Sequence, residues 1–202
     1  MEPFTTLEAP GIPIDQPNLD TDQIIPARFL GRPRPDQARH LFNDLRYDPE
    51  GKPRADFIMN RPGYEGARIV VAERNFACGS SRENAVTTMV DNGFRAFIAP
   101  SFGDIFFNNC FQNGALPIRL PAARVAEIRA ALTAKPGTGV RIDLASQTVV
   151  GPDGKTDRFD IDSFRKDCLL KGVDEVSLTL GYEKQIAAFE ARQRQDMSWL
   201  ER

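Results

Sequence analysis

Arg68-Ile69-Val70-Val71-Ala72, Arg95-Ala96-Phe97-Ile98-Ala99 and Leu116-Pro117-Ile118-Arg119-Leu120 are three short apolar runs. The segments between them have a helical period. In Ser81 to Asn92, Ala85, Val86, Met89 and Val90 share one face, and Gly93 can close the helix in the left-handed conformation. In Ser101 to Asn113, Phe102, Ile105, Phe106 and Cys110 share a face, with Gly114 after it. Strand, helix, strand, helix, strand with short connections predicts an α/β fold, its strands parallel and its crossovers right-handed. Both helices then start at the carboxyl ends of strands, where open α/β sheets take ligands. Ser80, Ser81, Arg82 and Ser101 are expected on that edge.

Downstream, Pro121 to Lys135 reads as a solvent-facing helix with proline early in it. Gly139 to Ile161 reads as a β-hairpin, its strands Val140 to Val150 and Thr156 to Ile161 flanking Gly151-Pro152-Asp153-Gly154. Ser163 to Lys171 is a helix ended by Gly172, and Asp174 to Gln195 is mostly helical with a break near Gly181-Tyr182. Upstream, Pro3, Pro10, Pro13, Pro17, Pro26, Pro33 and Pro35 exclude a long helix. Phe4 to Ala9 can form a strand. Asp36 to Tyr47 suggests a short helix through Ala38, Leu41, Phe42 and Leu45. No repeat or linker divides the chain. One domain over residues 1–202 is expected, with 163–202 as a mostly helical C-terminal extension. The last residues, polar apart from Trp199 and Leu200, are expected to be mobile or docked on a partner.

The 202 residues suffice for one sizeable core. A net charge of −2, from 26 basic and 28 acidic residues, gives no global bias toward nucleic acid or anionic membrane. No apolar run is long enough to span a bilayer and no leader pattern is present, so a cytoplasmic location is expected. Cys78, Cys110 and Cys168 are odd in number and far apart, which argues against a disulfide framework and against a metal or iron–sulfur site built by this chain alone. The one histidine, His40, reads as a surface residue.

The chemistry concentrates in Cys78-Gly79-Ser80-Ser81-Arg82-Glu83-Asn84-Ala85. A helix start leaves backbone N–H groups unpaired, and its dipole favours negative charge. Two hydroxyls and a guanidinium there suit a small molecule carrying carboxylates. The plainer account is a capping box, Ser80 capping the helix and Glu83 reaching back; pattern alone favours it about two to one. Arg82 is a poor fit to that account, because a cation is disfavoured at a helix start unless it faces an anion. Asn18-Leu19-Asp20-Thr21-Asp22 is a turn whose acids could cap it, orient Arg28 or Arg82, or bind a divalent metal, the last on weak grounds. Hydrolase elbow, dinucleotide and P-loop patterns are absent. Phe102, Phe106, Phe107 and Phe111 read as core.

Three stretches carry a resemblance: Asn18 to Pro26, Asn75 to Glu83, and Ala99 to Phe111, in that order and in register. Phe159 to Leu180, with Asp167-Cys168-Leu169-Leu170, continues it. The chain resembles the small subunits of 3-isopropylmalate dehydratases, in the aconitase superfamily. The resemblance implies the swivelling β/β/α domain of aconitases. It implies interconversion of 2-isopropylmalate and 3-isopropylmalate by dehydration and rehydration, in leucine biosynthesis. It implies a separate large subunit that holds a [4Fe–4S] cluster, with no cofactor on this chain. It makes Ser80 the base that removes a carbon-bound proton, and gives Ser81 and Arg82 a substrate carboxylate. Asp22 supports the site, and Arg28 belongs to the loop Arg28-Phe29-Leu30-Gly31 that reads the substrate side chain. Position 84 departs from the family's usual histidine, and Val86-Thr87-Thr88-Met89 differs from its usual Pro-Trp-Ala-Leu. Two other readings stand beside this one: a small subunit acting on citraconate, dimethylmaleate or homoaconitate, and a non-catalytic paralogue that only binds the large subunit.

Overall fold

The computed structural model describes residues 1–197 and Trp199. In chain order the elements are β1 (Thr6–Ile14), α1 (Thr21–Ile24), α2 (Arg34–Ala38), α3 (Asn43–Arg46), β2 (Ile69–Ala72), α4 (Glu83–Asp91), β3 (Ala96–Ala99), α5 (Asp104–Gln112) and β4 (Leu116–Arg119). There follow α6 (Ala122–Ala134), β5 (Gly139–Asp143), β6 (Thr148–Val150), β7 (Thr156–Arg158), α7 (Ser163–Lys171), α8 (Glu175–Leu180) and α9 (Glu183–Asp196). One sheet of seven strands runs β4-β3-β2-β1-β5-β6-β7.

The predicted parallel unit of β2, β3 and β4 is present, and β1 joins it in parallel on the other side of β2. The side-chain period of two splits its residues between two cores. Ile69, Val71, Ala96, Ile98, Leu116 and Ile118 pack with Val125, Ile128 and Leu132 of α6. Val70, Ala72, Phe97 and Ala99 pack with Ala85, Val86 and Met89 of α4 and Phe106 and Cys110 of α5. Strands covered on both faces need near-continuous apolar sequence, which is why these runs read so plainly. The phenylalanines form an aromatic core, Phe106 meeting Phe76 and Phe97 edge-on at 5.5 and 5.2 Å.

The remaining half of the sheet departs from expectation. β1 does not stop at Ala9; it continues through Pro10 and Pro13 to Ile14. Its first half pairs antiparallel with β5, from Thr6 opposite Asp143 to Pro10 opposite Gly139. Its second half pairs parallel with β2, from Gly11 opposite Ile69 to Ile14 opposite Ala72. The carbonyls of Pro10 and Ile14 accept from Arg68 and Glu73, so even-numbered residues bond toward β2. Pro13 is odd, and its missing N–H faces the side where β5 has already ended, so the proline costs no ladder bond. The expected hairpin is a three-strand meander. Asp143 accepts from the Ser146 N–H at 2.8 Å and Gln147 takes φ 55°, which turns the chain between β5 and β6.

Two helices also differ. The Asp36 to Tyr47 segment is broken, α2 and α3 flanking Phe42, which is fully buried with φ 52° and donates its N–H to the Ile24 carbonyl at 2.7 Å. Burying that ring outweighs helix continuity, at about 1.5–3 kcal/mol for a large apolar side chain. α6 is not simply solvent-facing. Its Val125, Ile128 and Leu132 stripe is buried, and the last two are wholly inaccessible. The C-terminal α7, α8 and α9 form as expected, with Gly172 closing α7 at φ 67°. Met197 and Trp199 are exposed; Leu200, the other apolar residue near the end, lies outside the described residues.

Candidate active site

The site lies where three chain segments leave the carboxyl ends of β1, β2 and β3. The segment after β2 is the middle one, and it is held on both sides like a strand. Phe76 donates its N–H to the Ser101 carbonyl at 3.1 Å, and Gly103 donates to the Phe76 carbonyl at 2.9 Å. On the other side, Thr21 donates its N–H to the Cys78 carbonyl at 2.9 Å, and Asn18 donates to Arg74 O at 3.0 Å. Side chains reinforce the frame. The Asn75 N–H donates to Ser101 Oγ at 2.8 Å, and Asn75 Nδ2 donates to Asn18 Oδ1 at 2.9 Å. Buried Thr21 donates its hydroxyl to the Ser80 carbonyl at 3.2 Å.

Within this frame the backbone zigzags through positive φ at Asn75 (57°), Ala77 (56°) and Gly79 (94°). Two of the three are not glycine, so the loop holds conformations that L-residues seldom take. Gly103 is needed for the close approach: a Cβ there would lie 2.4 Å from the Ala77 carbonyl oxygen. The result is a rigid lead into Ser80 and Ser81, both of which are exposed.

The capping box is not what these serines form. Arg82 is the N-cap residue of α4, and no side chain caps the helix. Glu83 turns instead to Asn113, accepting from Nδ2 at 3.1 Å. The capping box of this region is Asp20 with Gln23 on α1, Asp20 accepting from the Gln23 N–H at 2.8 Å and Gln23 Oε1 from the Asp20 N–H at 3.0 Å. Of the two aspartates in the turn, Asp20 thus caps α1 and Asp22 reaches across 60 residues to Arg82. That contact is a hydrogen-bonded ion pair, and Asp22 also accepts from the Ala27 N–H at 3.1 Å. The Arg82 guanidinium holds the Asp22 carboxyl below the usual carboxylate range. The Arg82 side chain is mostly buried, so its stem is fixed while one edge of the guanidinium meets Asp22.

A cavity of about 350 Å³ opens beside the serines, lined by Asn75, Cys78, Ser80, Asp104 and Ile105 among others. Ser80 faces it; Ser81 and Arg82 follow at the helix start. Ser101 was expected on the ligand edge, and it lies there, but its hydroxyl holds the Asn75 N–H. Ile105 was expected on the buried face of α5 and is exposed, at the cavity wall. α5 begins at Asp104 rather than Ser101, because residues 101–103 are engaged with residues 75–76.

Arg28 stands apart from the serine strip. It forks onto Asp44, with one bond at 2.9 Å, and lies over the Phe29 ring at 4.5 Å. It lines a separate cavity of about 620 Å³ with His40, Asp44 and Arg54. His40 is not a free surface residue: it stacks on Phe29 at 3.7 Å and lies 3.1 Å from both Arg32 and Asn43.

The described residues offer an iron–sulfur cluster a poor set of donors. Among the described residues, no three His, Cys, Asp or Glu side chains are grouped to hold a metal. Burial pushes the Cys110 thiol well above its ordinary value, and burial with the Asp20 charge raises Cys78. Ligating thiolates need the opposite shift.

The parallel half of the sheet thus presents two exposed serines and an acid-anchored arginine at its strand ends, and the family match gives the domain that carries them as one of the aconitase class. Residues 1–123 match the family model of the aconitase C-terminal domain. Residues 126–163 match the LeuD_N model, and residues 175–202 match the model of the C-terminal domain of the 3-isopropylmalate dehydratase small subunit. The 3-isopropylmalate dehydratase small subunit of Paramagnetospirillum magneticum is 47% identical, over 99% of this chain and 100% of its own length. The one from Leptospira interrogans is 48% identical over 99% of this chain and 98% of its length. The crystal structure of 3-isopropylmalate dehydratase from Methanocaldococcus jannaschii superposes with a TM-score of 0.64 at 25% identity, covering 93% of this chain and 99% of that one. The chain belongs to the family of 3-isopropylmalate dehydratase small subunits.

Proposed function

We propose that this chain works as the small subunit of a cytoplasmic 3-isopropylmalate dehydratase, a hydro-lyase of leucine biosynthesis, with a large subunit that carries the [4Fe–4S] cluster. The observation that supports this most directly is the Arg82–Asp22 ion pair beside two uncapped serines at the start of α4. The whole chain acts as one swivelling domain, closing its serine edge over the substrate on the partner.

Ser80 is the base. Its alkoxide takes the proton from the carbon next to a carboxylate, and the hydroxyl leaves from the neighbouring carbon. Water then returns to the alkene with the two positions exchanged. A free serine hydroxyl is a weak base, so its alkoxide needs positive potential, which the helix start and Arg82 supply in a site closed to water. Asp22 orients Arg82 by one edge, which leaves further N–H groups of the fork for a substrate carboxylate. Ser81 donates to the same carboxylate. The developing dianion also calls for a Lewis acid, which the partner's cluster supplies when bound. Arg28, in the loop after Pro26, is the rim of the pocket for the substrate side chain.

The test is reconstitution with the large subunit and a panel of malates substituted with isopropyl, methyl and carboxyalkyl groups. Turnover of the isopropyl substrates above the others supports the reading. Preference for citraconate, dimethylmaleate or homoaconitate reassigns the substrate, and a complex without turnover refutes the catalytic role.

A further inference from the structure

One buried side chain ties the start of α4 to the loop that follows Pro26. Gln37 is 6% exposed and donates to the carbonyls of Leu30, at 3.0 Å, and Arg32, at 2.7 Å. Its own carbonyl oxygen accepts from Asn84 Nδ2 at 2.7 Å. Asn84 is the second residue of α4, two positions beyond Arg82. The arrangement admits one orientation of the Gln37 amide. A flip would set its oxygen against two carbonyls and its NH2 against the NH2 of Asn84. Both ends of α2 are fixed separately to the far end of α4. Arg34 forks onto Asp91 at 2.7 and 2.8 Å, and Asn92 Nδ2 donates to the Ala38 carbonyl at 2.7 Å. At the serine end Asn84 is thus a second tie beside the Arg82–Asp22–Ala27 link, and the segment it holds through Gln37 carries Phe29 and Leu30.

We infer that Asn84 and Gln37 are positioning residues that set the spacing between the Ser80–Arg82 strip and the Arg28–Arg32 loop, and thereby the enzyme's discrimination among malate side chains. The inference rests on the proposed reading of the site. The carboxylates are held from α4 and the side chain from the loop, so a change in their spacing alters selectivity more than it alters the common chemistry. Asn84 touches no substrate in this account; it acts through Gln37. An accept-only side chain at position 84 would turn the Gln37 amide over and strip the donors from both carbonyls.

The experiment uses the reconstituted two-subunit complex and measures kcat and KM for isopropyl- and methyl-substituted malates. Asn84→Asp and Asn84→Leu should each lower the isopropyl-to-methyl ratio of kcat/KM about tenfold, the size of one lost hydrogen bond. The loss should fall mainly in KM for the isopropyl substrate. Asn84→His, which keeps an N–H donor, should retain the ratio. A purely structural role would lower the melting temperature and depress all substrates alike. Should Asn84→Asp fail to fold, Asn84→Leu decides. Unchanged ratios beside a working unaltered complex overturn the relay alone; no turnover by the unaltered complex overturns the functional reading and the relay with it.

Discussion

Gly103→Ala tests whether the loop before the serines is as tightly bracketed as its hydrogen bonds indicate. The added methyl would sit 2.4 Å from the Ala77 carbonyl oxygen, 3.0 Å from Cys78 Cα and 3.1 Å from the Ala77 carbonyl carbon. All three are backbone atoms, so no flexible side chain can move aside. An ordinary contact is ~3.5 Å or more, so residues 77–78 or residues 102–103 must shift by about 1 Å. The shift pulls against Gly103 N–H to Phe76 and Thr21 N–H to Cys78, both at 2.9 Å. Overpacking of this kind costs roughly 1–3 kcal/mol. For a chain of this length that lowers Tm by about 2–12 °C. The same shift displaces Ser80, and a misplacement of ~1 Å can cost on the order of 10²-fold in kcat. Thermal melts of the chain and steady-state kinetics of the reconstituted complex read the two effects. Gly139→Ala is the control, because its methyl would meet nothing nearer than 3.7 Å. A Gly103→Ala protein with unchanged Tm and kcat would refute the rigid-bracket argument.

Ser80→Ala should lower kcat by about 10²–10⁴-fold with little change in KM and no loss of stability, since the side chain caps no helix; an early melt with normal turnover would reverse the assignment. Arg82→Lys keeps the charge but loses the planar fork that meets Asp22, so KM should rise as well, measured on the same complex. The Arg124 guanidinium lowers Asp153 to about 2. A depressed carboxyl contributes stability that is present above its unfolded value and lost as pH falls through the folded one. Denaturation should therefore steepen between about pH 4 and pH 2, and Asp153→Asn should flatten that limb in acid melts. The chain purified alone under anaerobic conditions with iron and sulfide should bind no stoichiometric cluster and turn over no isopropylmalate, checked by absorbance and assay.

The parallel half of the sheet was legible in the sequence because β2 and β3 are wholly buried and β4 is buried up to Arg119, and only near-continuous apolar runs survive there. Their spacing with two amphipathic helices determined the strand direction and put Ser80, Ser81 and Arg82 at one edge. Whether those serines cap a helix was beyond the sequence. The pattern Ser80-x-x-Glu83 fits a capping box as well as a site, and the choice depends on where α4 begins. Pairing with residues 18–21 and 101–103 holds residues 74–80 in an irregular, non-helical path, so the helix starts only after Arg82. Bonds between residues about 60 apart in sequence leave no local periodicity to read. The same holds for Asp22 on Arg82 and for Gln37 on Asn84, 60 and 47 residues apart. The prolines of β1 excluded only a long helix, and it takes the pairing, with β5 beginning at Gly139 opposite Pro10, to show why Pro13 is tolerated in a strand. Residue types at a helix start determined what chemistry this chain could carry. The tertiary structure decided which hydroxyls stand free for it, because a side chain's freedom depends on every segment packed around it.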